Sequence, residues 1–140
     1  MLDLIEYRDP QYEELRPEEV VDAIKNKGLM CLIICKKGIS RSGDFAKILN
    51  KNGFRSLKLQ GGLEGLGKMS DEEIIKFGED LRLLPGLFIS TTRFEANLEE
   101  YKKTIKLLEQ GLGKPILIES DAVVACVLMK KAMELKEKSN

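Results

Sequence analysis

A continuous apolar run from Leu29 to Cys35 constrains the fold more than any other stretch of this chain. Its seven residues show no alternation between polar and apolar positions. Runs of this length and kind are typical of strands that are buried on both faces of a parallel sheet. Parallel strands are joined by long crossovers, which are usually helical. The run therefore predicts a layered α/β fold with helices above and below a sheet.

The rest of the chain alternates between strand and helix patterns. Pro17 is placed as the first residue of a helix, and Ser70 with Glu73 has the form of a capping box. The patterns predict strands at 2–7, 29–35, 54–59, 87–90 and 115–119, and helices at 17–26, 41–51, 70–83, 94–111 and 121–137, with a short helix or loop at 63–68. We predict one α/β domain over residues 1–140, with a three-layer, mainly parallel five-stranded sheet and helices on both faces.

Composition limits the class of protein. Hydrophobic residues make up 43% of the 140 residues and charged residues 33%, as in a globular domain. The 23 basic and 23 acidic residues balance, so nucleic acid is not a favoured partner. No apolar run reaches the length of a membrane span, and the first residues lack the pattern of a signal peptide. We predict a cytoplasmic protein that has no membrane partner and needs no cofactor; the pattern leaves the oligomeric state open.

The numbers of histidine and cysteine residues limit the kinds of catalytic and metal site that this chain can form. The chain has no histidine, which excludes His-based metal sites, Ser-His-Asp triads and Cys-His pairs. Three cysteines without framework spacing indicate reduced thiols and no metal site. Cys31 and Cys35 on one strand would lie roughly 13 Å apart, too far for a disulfide. We interpret Cys31 and Cys126, which both lie in apolar runs, as structural residues.

The segment after the apolar run has the composition of an anion-binding loop. A thiol has a lowered pKa near cations and helix N-termini, and Cys35 comes shortly before a predicted helix. Arginine has a planar fork that can hold two oxygens of a phosphate. We predict that Cys35 is a nucleophile and Arg41 its anion-binding partner, with a loop of Lys36, Lys37, Gly38, Ile39, Ser40 and Ser42. The alternative is that Cys35 is an ordinary buried residue at a strand end.

Other polar residues at predicted strand ends could complete such a site. In open α/β sheets, ligands gather at the carboxyl ends of the strands. Arg93, which follows Thr91 and Thr92, is a second candidate cation, or else a plain surface residue. Five carboxylates are candidates for a general acid, and each has the alternative role of a solvated residue or helix cap: Asp44, Glu64, Asp71, Glu119 and Asp121.

These residues carry a resemblance to known families. Residues 35–42, Cys-Lys-Lys-Gly-Ile-Ser-Arg-Ser, resemble the C-x-x-G-x-S-R-S signature of dual-specificity and tyrosine phosphatases. Residues 46–66, with their Gly-Phe turn and Gly-Gly-Leu-Glu motif, are similar to the region that follows the active cysteine in rhodanese domains. Residues 6–14 are similar to an earlier rhodanese segment. The resemblance covers about residues 2–66 and is strongest over 29–66, although Ile34 stands where phosphatases usually have histidine.

The resemblance implies a rhodanese-like or phosphatase-like fold and cysteine-dependent chemistry. Sulfurtransferases of the rhodanese superfamily have a shorter loop, whereas its phosphatases and arsenate reductases have five residues between cysteine and arginine, as here. It implies that Cys35 attacks a phosphate monoester, presented as a small anionic substrate or a phosphoprotein, while Arg41 and the loop N–H groups stabilise the transition state. Two alternatives stay open: a sulfurtransferase with a persulfide on Cys35, and a non-catalytic anion-binding or regulatory domain.

Overall fold

The computed structural model describes residues 14–35, 40–90 and 99–139. Its sheet contains five strands: β1 (Glu14–Leu15), β2 (Cys31–Ile34), β3 (Ser56–Leu59), β4 (Gly86–Ser90) and β5 (Leu117–Glu119). Their order across the sheet is β1-β3-β2-β4-β5, and every neighbouring pair is parallel. The predicted α/β class with a parallel five-stranded sheet is therefore confirmed. The strand predicted at 2–7 lies outside the described residues.

Six α-helices connect or follow these strands in the described part of the chain: α1 (Pro17–Lys27), α2 (Ser40–Lys51), α3 (Gly62–Leu66), α4 (Asp71–Asp80), α5 (Lys102–Leu112) and α6 (Ala122–Ser139), with a 3-10 turn at Leu81–Leu83. The helix predicted over 94–111 begins at Lys102, and residues 94–98 lie outside the described residues. None of the helices described is both long enough and apolar enough to cross a membrane.

Two apolar clusters cover the two faces of the sheet. One cluster joins alternate strand residues, among them Leu32 and Ile34, to the inner sides of α1, α3, α4 and α5. The other joins Cys31, Ile33 and Phe88 to α2 and α6. Because successive side chains of a strand point to opposite faces, β2 supplies both clusters. The four residues of β2 have no exposed surface, which is the burial that the apolar run predicts.

Helix α1 begins and ends, and helix α4 begins, at the residues that the sequence signals predict. Pro17 is the first residue of α1, and Gly28 ends that helix with φ 66°. At the start of α4, the Glu73 N–H donates to Ser70 Oγ over 3.2 Å, and the Ser70 N–H donates to a Glu73 carboxylate oxygen over 3.1 Å. The predicted capping box is thus present. Hydrogen bonds from the backbone and then the side chain of Ser70 to the Glu73 carboxylate hold the pKa of Glu73 below its usual value.

A charged pair fixes the short edge strand β1. Glu14 and Leu15 lie in register with Lys58 and Leu59 of β3. The Lys58 side chain is only 7% exposed, and its Nζ lies 3.7 Å from a carboxylate oxygen of Glu14. A buried ammonium is costly unless it has a partner of opposite charge. The pair therefore favours the register in which Glu14 faces Lys58.

Glycines allow α4 and α5 to pack in direct backbone contact. A Cβ atom at Gly78 would lie 2.5 Å from the carbonyl oxygen of Leu108, and one at Gly111 would overlap the carbonyl oxygen of Ile75. Real Cβ atoms do not approach backbone atoms so closely, and backbone atoms cannot give way as a flexible side chain can. The spacing between α4 and α5 thus depends on the absence of a side chain at both positions.

We predict that Gly111→Ala lowers the free energy of unfolding by about 1–3 kcal/mol, because relief of the overlap must separate α4 from α5. Alanine favours a helix over glycine by about 0.5–1 kcal/mol, so a loss shows that packing dominates. Urea denaturation measures the effect. Gln110→Ala, at an exposed position of the same helix, is the control and should leave stability within about 0.5 kcal/mol. Equal stability of Gly111→Ala and wild type would contradict the close contact.

Candidate active site at the carboxyl end of β2

The two strands that follow β2 in the chain lie on opposite sides of it in the sheet. From β2 the chain passes through α2 to β3 on one side, and β4 is then added on the other side of β2. In α/β sheets such a reversal in the direction of strand addition opens a crevice between the carboxyl ends of the two diverging strands, where ligands typically bind. Cys35 follows β2 directly, so it lies at this point of reversal. The sequence predicted that Cys35 ends a strand, but the reversal beside it is recognised only from the strand order.

Cys35 is held in place by a backbone contact across the sheet. It is buried, with 6% of its surface exposed, and its carbonyl oxygen accepts a hydrogen bond from the Leu63 N–H over 2.8 Å. Leu63 is the second residue of α3. The first N–H groups of a helix lack partners within the helix, so the Cys35 carbonyl satisfies one of them. This bond ties the end of β2 to the segment that follows β3.

Two consecutive glycines make that contact geometrically accessible. Gly61 has φ 83° and Gly62 has φ 56°, both in the left-handed region that side chains other than glycine disfavour. They turn the chain at the end of β3, so that α3 begins beside Cys35. The sequence predicted a turn at these residues, whose motif resembles one of rhodanese domains. It did not predict that Leu63 contacts the candidate nucleophile. The Gly-Gly pair directly after a strand is the signal that marks the turn.

The predicted anion loop is described only in part. Lys36, Lys37, Gly38 and Ile39 lie outside the described residues. Helix α2 begins at Ser40, so Ser40, Arg41 and Ser42 form its first turn. The placement of the Arg41 guanidinium also lies outside what is described. The structure thus puts a helix N-terminus five residues after Cys35, and the N-terminus of a helix favours anions.

The five candidate general acids differ in the groups that they contact. Glu119 accepts hydrogen bonds from the backbone N–H groups of Ser120 and Asp121, each over 3.1 Å, and Asp121 accepts one from Val123 over 2.8 Å. Asp121 thus caps the start of α6, and Glu119 binds the turn that precedes it.

Asp71 lies 3.4 Å from Lys103 Nζ in an ion pair between α4 and α5. Asp44 and Glu64 are exposed, on α2 and α3 respectively. Glu64 is adjacent in the chain to Leu63, whose N–H contacts Cys35. Arg93 and its two threonines lie outside the described residues. In the described part of the chain, no group of three Cys, Asp or Glu side chains is placed to hold a metal ion.

The surroundings of Cys31 and Cys126 disfavour the thiolate form that a nucleophile needs. All three cysteines are reduced. Cys31 has no exposed surface, and its thiol lies 3.4 Å from the Met129 sulfur. Burial raises the pKa of Cys31 to about 12, because a thiolate loses solvation in an apolar interior. Burial also raises the pKa of Cys126, which is half-buried on α6. Their interpretation as structural residues agrees with these environments.

Comparison of the chain with protein-family models, with curated proteins and with solved structures finds no match in any of the three. The sequence pattern and the geometry around Cys35 are therefore the features that bear on function.

We predict that Cys31 is protected from alkylation in the folded protein. A pKa of about 12 instead of 9.0 lowers the thiolate fraction at pH 8 about a thousandfold. Treatment with iodoacetamide, followed by peptide mass spectrometry, should label Cys31 at least that much more slowly in the native protein than in urea. The unfolded chain is the control, because there all three cysteines should react at similar rates. Rapid labelling of Cys31 in the native protein would contradict the buried thiol.

We also predict that Gly61→Ala destabilises the protein by about 1–2 kcal/mol, since alanine must adopt a left-handed backbone at this turn. Gly65→Ala is the matched control: Gly65 lies in α3, and a Cβ there meets the Gln60 carbonyl oxygen at an ordinary 3.8 Å. That control should be neutral or slightly stabilising. Chemical denaturation of both variants tests the pair, and equal effects would show that the left-handed turn is unimportant.

Proposed function

We propose that this chain is a cysteine-dependent phosphatase that acts on a phosphate monoester. The observation that carries the proposal is the position of Cys35. It directly follows a fully buried strand at the point where the strand order reverses, and five residues separate it from Arg41 in the first turn of α2. The resemblance of residues 35–42 to a phosphatase signature supports the same reading.

The proposed reaction has two steps. The Cys35 thiolate attacks phosphorus, an S–P bond forms, and the P–O bond to the leaving group breaks. The leaving alkoxide takes a proton from a general acid, and water then hydrolyses the phosphocysteine to release phosphate and regenerate the thiolate. Arg41 and N–H groups at the start of α2 stabilise the negative charge that develops on the phosphoryl oxygens. The Leu63 N–H, by holding the Cys35 carbonyl, keeps the nucleophile oriented during both steps.

The rhodanese resemblance supports a second candidate, a sulfurtransferase. In that reaction the Cys35 thiolate attacks the outer sulfur of a donor such as thiosulfate, so that a new S–S bond forms while the S–S bond of the donor breaks and sulfite leaves. A nucleophilic acceptor such as cyanide then takes the outer sulfur of the persulfide and regenerates the thiolate. The same position of Cys35 serves this chemistry. The five-residue spacing to Arg41 favours the phosphatase, because it resembles the longer loop of the phosphatases in the rhodanese superfamily and not the shorter loop of its sulfurtransferases.

Phosphatase activity is tested with an aryl phosphate such as p-nitrophenyl phosphate. We expect turnover by wild type, and a loss in Cys35→Ser of at least about a thousandfold in kcat, because serine is a far weaker nucleophile without a base. Arg41→Lys keeps the charge but loses the planar fork, so we expect about a hundredfold loss. Cys126→Ser is the matched control and should retain activity.

Parallel experiments separate the alternatives. A thiosulfate–cyanide assay, with mass spectrometry for one added sulfur on Cys35, detects the sulfurtransferase. Phosphate titration, followed by the amide signals of Ser40 and Arg41, detects anion binding without turnover. Equal inactivity of wild type and Cys35→Ser in both assays would exclude both enzymes. A phosphate titration that leaves these signals unchanged would exclude the phosphatase and the anion-binding domain together.

A further inference from the structure

Helix α6 has apolar side chains both on the side that packs against the sheet and on sides that face solvent. Its inner side, with Ala122, Ala125 and Met129, is buried against α2 and the sheet. Four large apolar side chains of the same helix face solvent: Val123, Val124, Val127 and Leu135, which are 42–67% exposed. A helix that is apolar around most of its circumference is typically buried on more than one side. The exposed side of α6 therefore has the character of a contact surface.

One flank of α6 points away from the rest of the domain. A groove on the other flank is lined by Asn52 and Phe54, which follow α2, together with Cys126 and Met133 of α6. At 100° per residue, Val124, Leu128 and Leu135 lie on the side opposite this groove. Helix α2 covers β2 and β3, whereas α6 covers β4 and β5. The flank with Val124, Leu128 and Leu135 therefore faces outward beyond β5.

Strand β5 adds an open sheet edge on the same side. It is the last strand of the described sheet, and within that sheet it pairs only with β4. Its central residue, Ile118, is 47% exposed. Edge strands are usually protected by charged residues, and the opposite edge has such protection in the Glu14–Lys58 pair. Ile118 lies in register with Ile89, whose cluster is on the face opposite α6, so apolar surface is exposed on both faces of the sheet at this edge.

We propose that a second copy of this chain docks on this surface. The β5 strands of the two copies pair antiparallel about a two-fold axis near Ile118, and the two α6 helices pack antiparallel beside it. Strands lie about 4.8 Å apart, and α6 sits over β4 and β5. The two helices would thus be separated by roughly 10 Å, within the range of packed helices. The result is a continuous ten-stranded sheet.

Across the proposed two-fold axis, acidic and basic residues of the two copies face each other. Helix α6 runs back along β5 and advances about 1.5 Å per residue. A two-fold axis near Ile118 then places Val124 of one copy opposite Leu128 of the other. It places Asp121, at the start of α6, opposite Lys131 of the second copy. Both charged residues are exposed, and the chain carries no net charge to oppose association. The surface is self-complementary in both apolar and charged positions, as a two-fold interface requires.

The test compares neighbouring residues on α6. Light scattering coupled to size exclusion should show twice the chain mass for wild type. Val124→Glu should give a monomer, with a dissociation constant raised at least about a hundredfold, whereas Val123→Glu should remain a dimer. Val123 is more exposed than Val124, at 66% against 42%, but lies about 100° around the helix, away from the proposed interface. Circular dichroism of both variants checks that each is folded.

A second matched pair tests the charges without altering the apolar surface. Lys131→Glu places a carboxylate opposite Asp121 of the other copy and should weaken the dimer about tenfold, by an effect that salt reduces. Lys130→Glu, one residue away on the groove flank, should not. The proposal is overturned if wild type is a monomer at concentrations up to roughly 1 mM. It is also overturned if the members of each pair behave alike.

Discussion

Burial of β2 on both faces is the constraint on which this structure depends. Cys31 and Ile33 enter one apolar cluster, whereas Leu32 and Ile34 enter the other. Helices must therefore cover both sides of the strand, and right-handed crossovers place them on different sides only if the chain leaves β2 in one direction and later returns in the other. That reversal produces the crevice at the carboxyl end of β2. The position of the candidate site is thus a consequence of how the core is covered.

Two cysteines of this segment differ in their position relative to the sheet: Cys31 lies within β2, and Cys35 follows it. Cys31 begins β2 among apolar side chains, where burial raises the pKa of its thiol and stabilises the neutral form. Cys35 comes just after the strand, five residues before the start of α2, and its carbonyl is held by Leu63. A thiol inside the sheet contributes to packing. A thiol at the carboxyl end of a strand lies where α/β sheets typically bind ligands.

Local signals in the sequence were sufficient to predict most of the described elements. The apolar run gave β2, and Pro17, Ser70 and Gly28 marked helix ends through geometry that depends only on neighbouring residues. Strand β1 was missed, because two residues are too few for a periodic pattern and its register depends on Lys58, 44 positions further along the chain. The Leu63–Cys35 contact was missed for the same reason: it forms only once β2 and β3 are neighbours.

The proposed assembly and the proposed chemistry use separate parts of the sheet. The candidate site lies at the carboxyl ends of β2 and β4, whereas the proposed two-fold axis lies beyond β5. An antiparallel β5 pair would rotate the second copy by 180°, so the two candidate sites would lie at opposite edges of the ten-stranded sheet. Neither copy would then reach the other's Cys35. The dimer would cover the outward flank of α6 and the outer edge of β5, and each candidate site would be formed by one chain alone.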